Sequence, residues 1–201
     1  ALLGNRTNGT YHIPSGRHRL DGLPLVIAAG SHVRIVGGGR DLTTTIDAVS
    51  RSRVFDVQGT LELENLHVTG GLSTGDGGGM RIGDRGSAII TGCAIDYCAA
   101  SPFDGQGGGV HNRGYFLGRS STLAHNTARS GGGLHNQGSG TAEMVSSSVE
   151  FNSARCDRTL GCSSSLAPKL GAFGGGVCNE GNLTMHEGRI VGNLVEARDV
   201  P

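Results

Sequence analysis

The sequence predicts an all-β fold: a single-stranded right-handed parallel β-helix, one chain wound into stacked coils of ~24 residues, each carrying short strands. Two repeats and one composition fact carry this. Three segments align on sight: Gly107-Gly-Gly-Val-His-Asn-Arg-Gly114, Gly131-Gly-Gly-Leu-His-Asn-Gln-Gly138 and Gly174-Gly-Gly-Val-Cys-Asn-Glu-Gly181. A second element runs in step with them, an apolar residue followed three positions later by Asn: Leu123-Ala-His-Asn126, Val149-Glu-Phe-Asn152 and Ile190-Val-Gly-Asn193. Glycine supplies 37 of 201 residues while aromatics make up 4% and Trp is absent. Such a chain must pack small and branched side chains in regular layers.

The spacing sets the coil. Gly107 and Gly131 lie 24 residues apart, and Gly131 and Gly174 lie 43 apart, so the later coil holds 19 extra residues. Those extra residues place an insertion loop near 154–173. A weaker triplet, Gly77-Gly-Gly-Met-Arg-Ile, lies 30 residues before Gly107, and a smaller loop around Pro102 accounts for the excess. Between the landmarks the chain alternates as short strands do, in Thr60-Leu-Glu-Leu-Glu64 and Ala88-Ile-Ile. Stacked at ~4.8 Å, equivalent residues become columns. Leu66, Ile95, Leu123, Val149 and Ile190 form one inward aliphatic column, with Leu66-His-Val-Thr69 as its earliest copy. Asn126, Asn152 and Asn193 form an asparagine ladder whose amides bond from coil to coil. Cys98 takes the ladder position one coil earlier, in Ile95-Asp-Tyr-Cys98, and is expected to point inward as a buried thiol. The triplet glycines supply positive φ at corners and close approach between coils.

Residues 1–201 read as one β-helix domain. Residues 1–57 hold N-terminal coils, with strands in Gly9-Thr-Tyr-His-Ile-Pro, Leu25-Val-Ile, His32–Gly39, Thr44–Asp47 and Arg53–Val57. Residues 58–201 hold the glycine-triplet coils. After Asn193 the chain reads Leu-Val-Glu-Ala-Arg-Asp-Val-Pro201 with no capping element. The expectation is a piece of a longer chain, or an open end closed by further coils or other protein subunits.

This order of pieces, followed by glycine-triplet–apolar–x-Asn repeats, resembles the pectate-lyase-like β-helix superfamily, and most of all its polymorphic outer-membrane-protein-like repeat members. The resemblance implies the fold along nearly the whole chain. It implies no single activity, because this fold hosts lyases, hydrolases, epimerases, adhesins and structural proteins. Lyases of the superfamily use acidic calcium ligands and an arginine base, and galacturonase relatives use clustered aspartates with a Gly-His-Gly element. This sequence has no Asp-Asp pair and no Gly-His-Gly. Asp76 and Asp84 flank the Gly77 triplet as turn residues do.

Other constellations read as surface. Asp96 and Glu150 stand two coils apart in the outward series His67, Asp96, Ala124, Glu150, Val191, about 9.6 Å by strand spacing. That is close to the carboxylate separation of an inverting glycosidase, but no third group accompanies them. The residue after each triplet's apolar position reads Arg81, His111, His135, Cys178, an expected exposed ladder. Its members are zinc ligands in kind, but His111 and Cys178 are two coils apart, so neither metal nor cofactor is expected.

Five cysteines leave one odd. Cys156 and Cys162 bracket a short loop and are expected to form a disulfide, whereas a Cys93–Cys98 bridge is not favoured. Asn5, Asn8 and Asn182 begin glycosylation tripeptides. Together these point to a secreted or cell-surface glycoprotein. Lys+Arg and Asp+Glu each total 17, with no basic tract, so a nucleic-acid partner is not expected. Apolar runs such as Leu23–Gly30 are too short to span a bilayer. The function expected is a non-catalytic structural or adhesion scaffold, part of a larger protein or assembly, with surface glycans as further partners. The alternative is a polysaccharide lyase or glycoside hydrolase.

Overall fold

A computed structural model describes residues 8–39, 41–157 and 173–198. The strands repeat in one order, three faces to a coil. The first coil carries β1 (Asn8–Ile13), β2 (Gly16–Arg19) and β3 (Leu25–Ile27). The second has β4 (His32–Gly37), β5 (Thr44–Asp47) and β6 (Phe55–Val57), and the third β7 (Thr60–Glu64), β8 (His67–Thr69) and β9 (Met80–Ile82). The fourth has β10 (Ser87–Thr91), β11 (Ala94–Asp96) and β12 (Val110–Asn112). A fourth face then appears: β13 (Tyr115–Arg119), β14 (Thr122–Ala124), β15 (Thr127–Ala128) and β16 (Leu134–Asn136) make the fifth coil. The sixth holds β17 (Thr141–Val145), β18 (Ser148–Glu150), β19 (Ser153–Asp157) and β20 (Val177–Asn179). The last holds β21 (Asn182–His186), β22 (Arg189–Val191) and β23 (Leu194–Arg198).

Every strand pairs in parallel with its counterpart one coil away, giving sheets of seven, seven, six and three strands. This is a parallel β-solenoid, and no helix among the described residues is long and apolar enough to cross a membrane. The coil length is less uniform than the triplets imply. Counterparts are 24 residues apart at Asn112 and Asn136, 28 at Tyr115 and Glu143, 30 at His32 and Glu62, and 43 at Asn136 and Asn179. Corners absorb the difference, since a strand's register is fixed by pairing and a turn's length is not.

The core is a bundle of columns. Ile46, Val68, Ile95, Leu123 and Val149 are fully buried along the second sheet, in direct register. Here the expected alignment is corrected: Ile95 pairs with Val68, not Leu66. Leu66 is also fully buried, at the corner two residues earlier, where its carbonyl accepts from Ala94 N–H. Along the first sheet, Phe116 lies between Ala88 and Ala142, so one large ring fills the space two small residues leave.

The asparagine ladder is present. Asn126 Nδ2 donates to Asn152 Oδ1 at 3.1 Å, and Asn152 Nδ2 donates to Asn193 Oδ1 at 3.0 Å. Each Oδ1 also accepts from the preceding Asn's main-chain N–H, both at 2.9 Å. Cys98 occupies the next ladder position as expected: its N–H reaches Asn126 Oδ1 at 3.0 Å, and burial pushes its thiol up to about 12. A second ladder runs through Asn112, Asn136 and Asn179, each Nδ2 donating to the next Oδ1 at 2.8 Å. It continues a column that begins as Ile27, Val57 and Ile82. Where the inward residue is polar, stacking satisfies it.

The triplet glycines each have a task. Gly107 and Gly131 turn the chain at φ of 66° and 62°. The next two lie so close to the adjacent coil that a side chain would collide with it: a Cβ on Gly132 would sit 2.4 Å from Gly175 O.

Candidate functional site

The outward column of the third sheet is the site where structure departs most from expectation. Pairing places Arg81, His111, His135 and Cys178 in register across β9, β12, β16 and β20. A column on the outer face of a sheet should alternate with the buried one, as β9 does. Instead β12 and β16 are buried at all three positions. The exposed ladder is therefore corrected: His111 is 1% and His135 0% exposed. The reason lies outside the strands, where the corner before β9 and the residues after β20 bring carboxylates against the rings. Asp76, held by the Gln106 N–H at 2.9 Å, stands 3.9 Å from His111 Nε2. Glu180 Oε1 stands 3.8 Å from His135 Nε2.

The two rings stack, centroids 5.6 Å apart and planes at 25°. None of their four nitrogens has a hydrogen-bond partner. Both carboxylate distances exceed hydrogen-bond length, so the acids act on the rings only through space. Burial dominates the electrostatics. It lowers His111 to about 4 despite Asp76, with His135, Arg113 and Arg81 lowering it further. Burial also lowers His135, against the opposing charges of Glu180 and Asp76. Both imidazoles are accordingly neutral at neutral pH, each with a lone pair available to an acid or a cation.

Around this pair the charges are already matched. Arg81 leaves the column to bind Asp56 at 2.6 Å, which Arg53 also meets at 3.2 Å. Burial alone would raise the Asp56 carboxyl, but hydrogen bonds from Gln58 and Arg81 and the two guanidinium charges hold it below its usual range. Asp84 pairs with Arg113 at 2.8 Å, so Asp76 and Asp84 each have their own partners. Asp96 accepts from His67 Nε2 at 2.7 Å. Register keeps Glu150 two coils away from it, with Ala124 between. A carboxylate committed to an ion pair is a poor half of an acid–base couple.

Cysteines and sequons fall in separate places. Cys93, Cys98 and Cys178 are free, and only Cys178 is part-exposed. The Cys156–Cys162 bridge and Asn5 lie outside the described residues. Asn8 and Asn182 are both exposed on strands. One further column was not anticipated: Tyr97, His125 and Phe151 stack at 5.0 and 5.6 Å on the corner just before the ladder. Each precedes a ladder residue and has positive φ, of 47°, 54° and 52°. That repeated aromatic-then-Asn order was its signal in the sequence. A scan against family models, a search of curated proteins and a search of solved structures each return no match.

Proposed function

We propose that this chain is a non-catalytic scaffold of the cell surface or extracellular space, assembled through the open face of its last coil. The observation that carries this is the change along the aliphatic columns. Val149 and Ala154 are fully buried, while their partners one coil on, Ile190 and Val195, are 53% and 51% exposed, and Leu194 is 50% exposed. At the opposite end Ile13, Leu25 and Ile27 are buried. An apolar edge next to unpaired strand groups is a template for pairing. Because only one end is open, like meets like, and the occupant is a second copy of this chain, tail to tail about a twofold axis.

The surrounding reading fits this. Asn8 and Asn182 present their side chains where glycans could be attached, which favours an exported protein. The glycine-triplet and Asn repeats favour descent from the pectate-lyase-like superfamily and its outer-membrane repeat members, in which rods of this kind serve adhesion. The pairing of Asp96 with His67 speaks against the carboxylate couple of a glycosidase. Sedimentation velocity tests the proposal directly. The chain is expected to dimerise, and Ile190→Lys with Leu194→Lys to give a monomer with unchanged circular dichroism. A clean, stable monomer of the parent chain, or a dimer indifferent to the lysines, would overturn it. In a polyuronate panel no product is expected. Release of unsaturated or reducing ends, abolished by Asp96→Ala or Glu150→Ala, would replace the scaffold reading with the enzymatic one.

A further inference from the structure

We propose that His135, Cys178 and Glu180 form a binding site for a divalent transition metal of the zinc class, clamping the sixth coil to the fifth. One ligand atom from each of the three lies within 4.8 Å of the other two. They include one imidazole, one thiol and one carboxylate, the donor types that zinc takes. The edge between His135 Nε2 and Glu180 Oε1 is 3.8 Å. Bond lengths of about 2.0–2.3 Å around a tetrahedral ion put its ligands roughly 3.3–3.7 Å apart. Closing the triangle on an ion therefore needs only small rotations of Cys178 and Glu180, the two members nearer solvent.

A second observation points to a ligand independently of that triangle. His135 is fully buried, yet neither of its ring nitrogens has a hydrogen-bond partner. Burying a polar nitrogen unsatisfied costs on the order of 1–3 kcal/mol, and native interiors seldom carry that cost without a reason. Nothing in the fold requires an imidazole here: at this place the first repeat carries Arg81, which reaches out to Asp56. A metal bond to Nε2 satisfies the nitrogen and employs the nearby acid. The column rule argued against a metal, since strand spacing separates backbones by ~4.8 Å per coil. That objection applies to His111 and Cys178, two coils apart. His135 and Cys178 are on adjacent coils, and Glu180 lies just past the end of β20 on the same side. The fourth position opens toward His111, whose ring stacks on His135. Such an ion would tie β20 to β16 just where the chain returns from its long insertion.

This inference does not depend on the scaffold reading, and its test reads neither assembly nor activity. Chain stripped with chelator is titrated with zinc by calorimetry and with cobalt(II) by absorption. One ion per chain is expected, with a thiolate-to-cobalt charge-transfer band. Cys178→Ser should remove that band and weaken zinc at least tenfold, and Glu180→Gln should weaken it severalfold. Both positions are near the surface, so the variants should fold, which circular dichroism verifies. A Cys156→Ser/Cys162→Ser chain should bind as the parent does, which keeps the insertion thiols out of the result. Failure to bind a stoichiometric ion would overturn the proposal, as would binding unchanged by Cys178→Ser or lost with Cys156 and Cys162.

Discussion

Replacing Asn152 by alanine should be among the most damaging single changes in the molecule, and the ladder geometry says by how much. Asn152 is fully buried. Its Oδ1 accepts from Asn126 N–H at 2.9 Å and Asn126 Nδ2 at 3.1 Å, and its Nδ2 donates to Leu123 O at 2.9 Å and Asn193 Oδ1 at 3.0 Å. Alanine keeps the backbone and removes all four. Asn126 Nδ2 retains Ile95 O, and Asn193 Oδ1 retains the Asn152 N–H, so the main losses fall on the Asn126 N–H and the Leu123 carbonyl. Each buried group deprived of its partner costs about 1–3 kcal/mol, giving a loss of roughly 3–5 kcal/mol. Asn193→Ala should cost far less, about 1 kcal/mol, because the last coil is part-exposed and water can replace the amide. Urea unfolding followed by far-ultraviolet circular dichroism measures both, as the chain has no Trp to report by fluorescence. Slopes must be compared as well as midpoints, since a solenoid can lose coils one by one. Equal costs at the two positions, or a loss below 1 kcal/mol at Asn152, would refute the ladder as a source of stability.

The buried histidines make the metal-free chain sensitive to acid. His111 is lowered in the fold from 6.5 to about 4, so the unfolded chain binds its proton first. Stability is full above about pH 6.5 and falls as pH drops toward 4, by up to about 3 kcal/mol for this residue at 1.36 kcal/mol per pH unit. Urea midpoints in chelator between pH 7.5 and 5 should show the decline, and His111→Gln should flatten it; a flat parent profile would contradict the burial argument. At Cys98 the ladder can be lengthened. Asparagine there offers Asn126 Oδ1 a second donor and Gly71 N–H a stronger acceptor than sulfur, which now receives it at 3.4 Å. Cys98→Asn is expected to leave stability within about 1 kcal/mol of the parent or raise it, while Cys98→Ala lowers it, by the same denaturation.

What the sequence made legible were repeated residue identities, and what it hid were the things that identity does not determine. Asn126, Asn152 and Asn193 could be placed because an amide three residues after an apolar position has few other reasons to recur. The Asn112–Asn136–Asn179 ladder carried the same signal, inside the triplet motif itself, where the glycines drew the attention. Leu66 was misplaced because strand periodicity is two: Leu66 and Val68 both face inward, and hydrophobicity cannot choose between them. Burial of His111 and His135 was invisible for a different reason. Strand alternation assigns them to the outer face correctly, but what covers that face comes from Asp76 and Glu180, outside the strands that carry the rings. Variation in coil length was hidden because the one pair of full triplets without an insertion happens to span the shortest coil.

The two motifs that run in step are parts of one device. The third glycine of each triplet faces the ladder residue of the following coil. A Cβ would lie 3.2 Å from Cys98 Sγ at Gly79, 2.8 Å from Asn126 Nδ2 at Gly109, 2.8 Å from Asn152 Nδ2 at Gly133 and 2.7 Å from Asn193 Nδ2 at Gly176. The missing side chain is the space into which the amide fits, and the one ladder position filled by cysteine faces the weakest triplet. A thermodynamic cycle tests this where it is cleanest. At Gly176, whose φ is ordinary, the three nearest atoms to an added methyl all belong to the Asn193 side chain. Gly176→Ala alone should therefore destabilise by about 1–3 kcal/mol through overpacking. In the Asn193→Ala background the obstacle is gone, and the same change should cost little, a coupling of roughly 1–2 kcal/mol between residues 176 and 193. Additive effects would mean that the glycine is kept for its backbone alone, and that the shared period of triplet and asparagine has another cause.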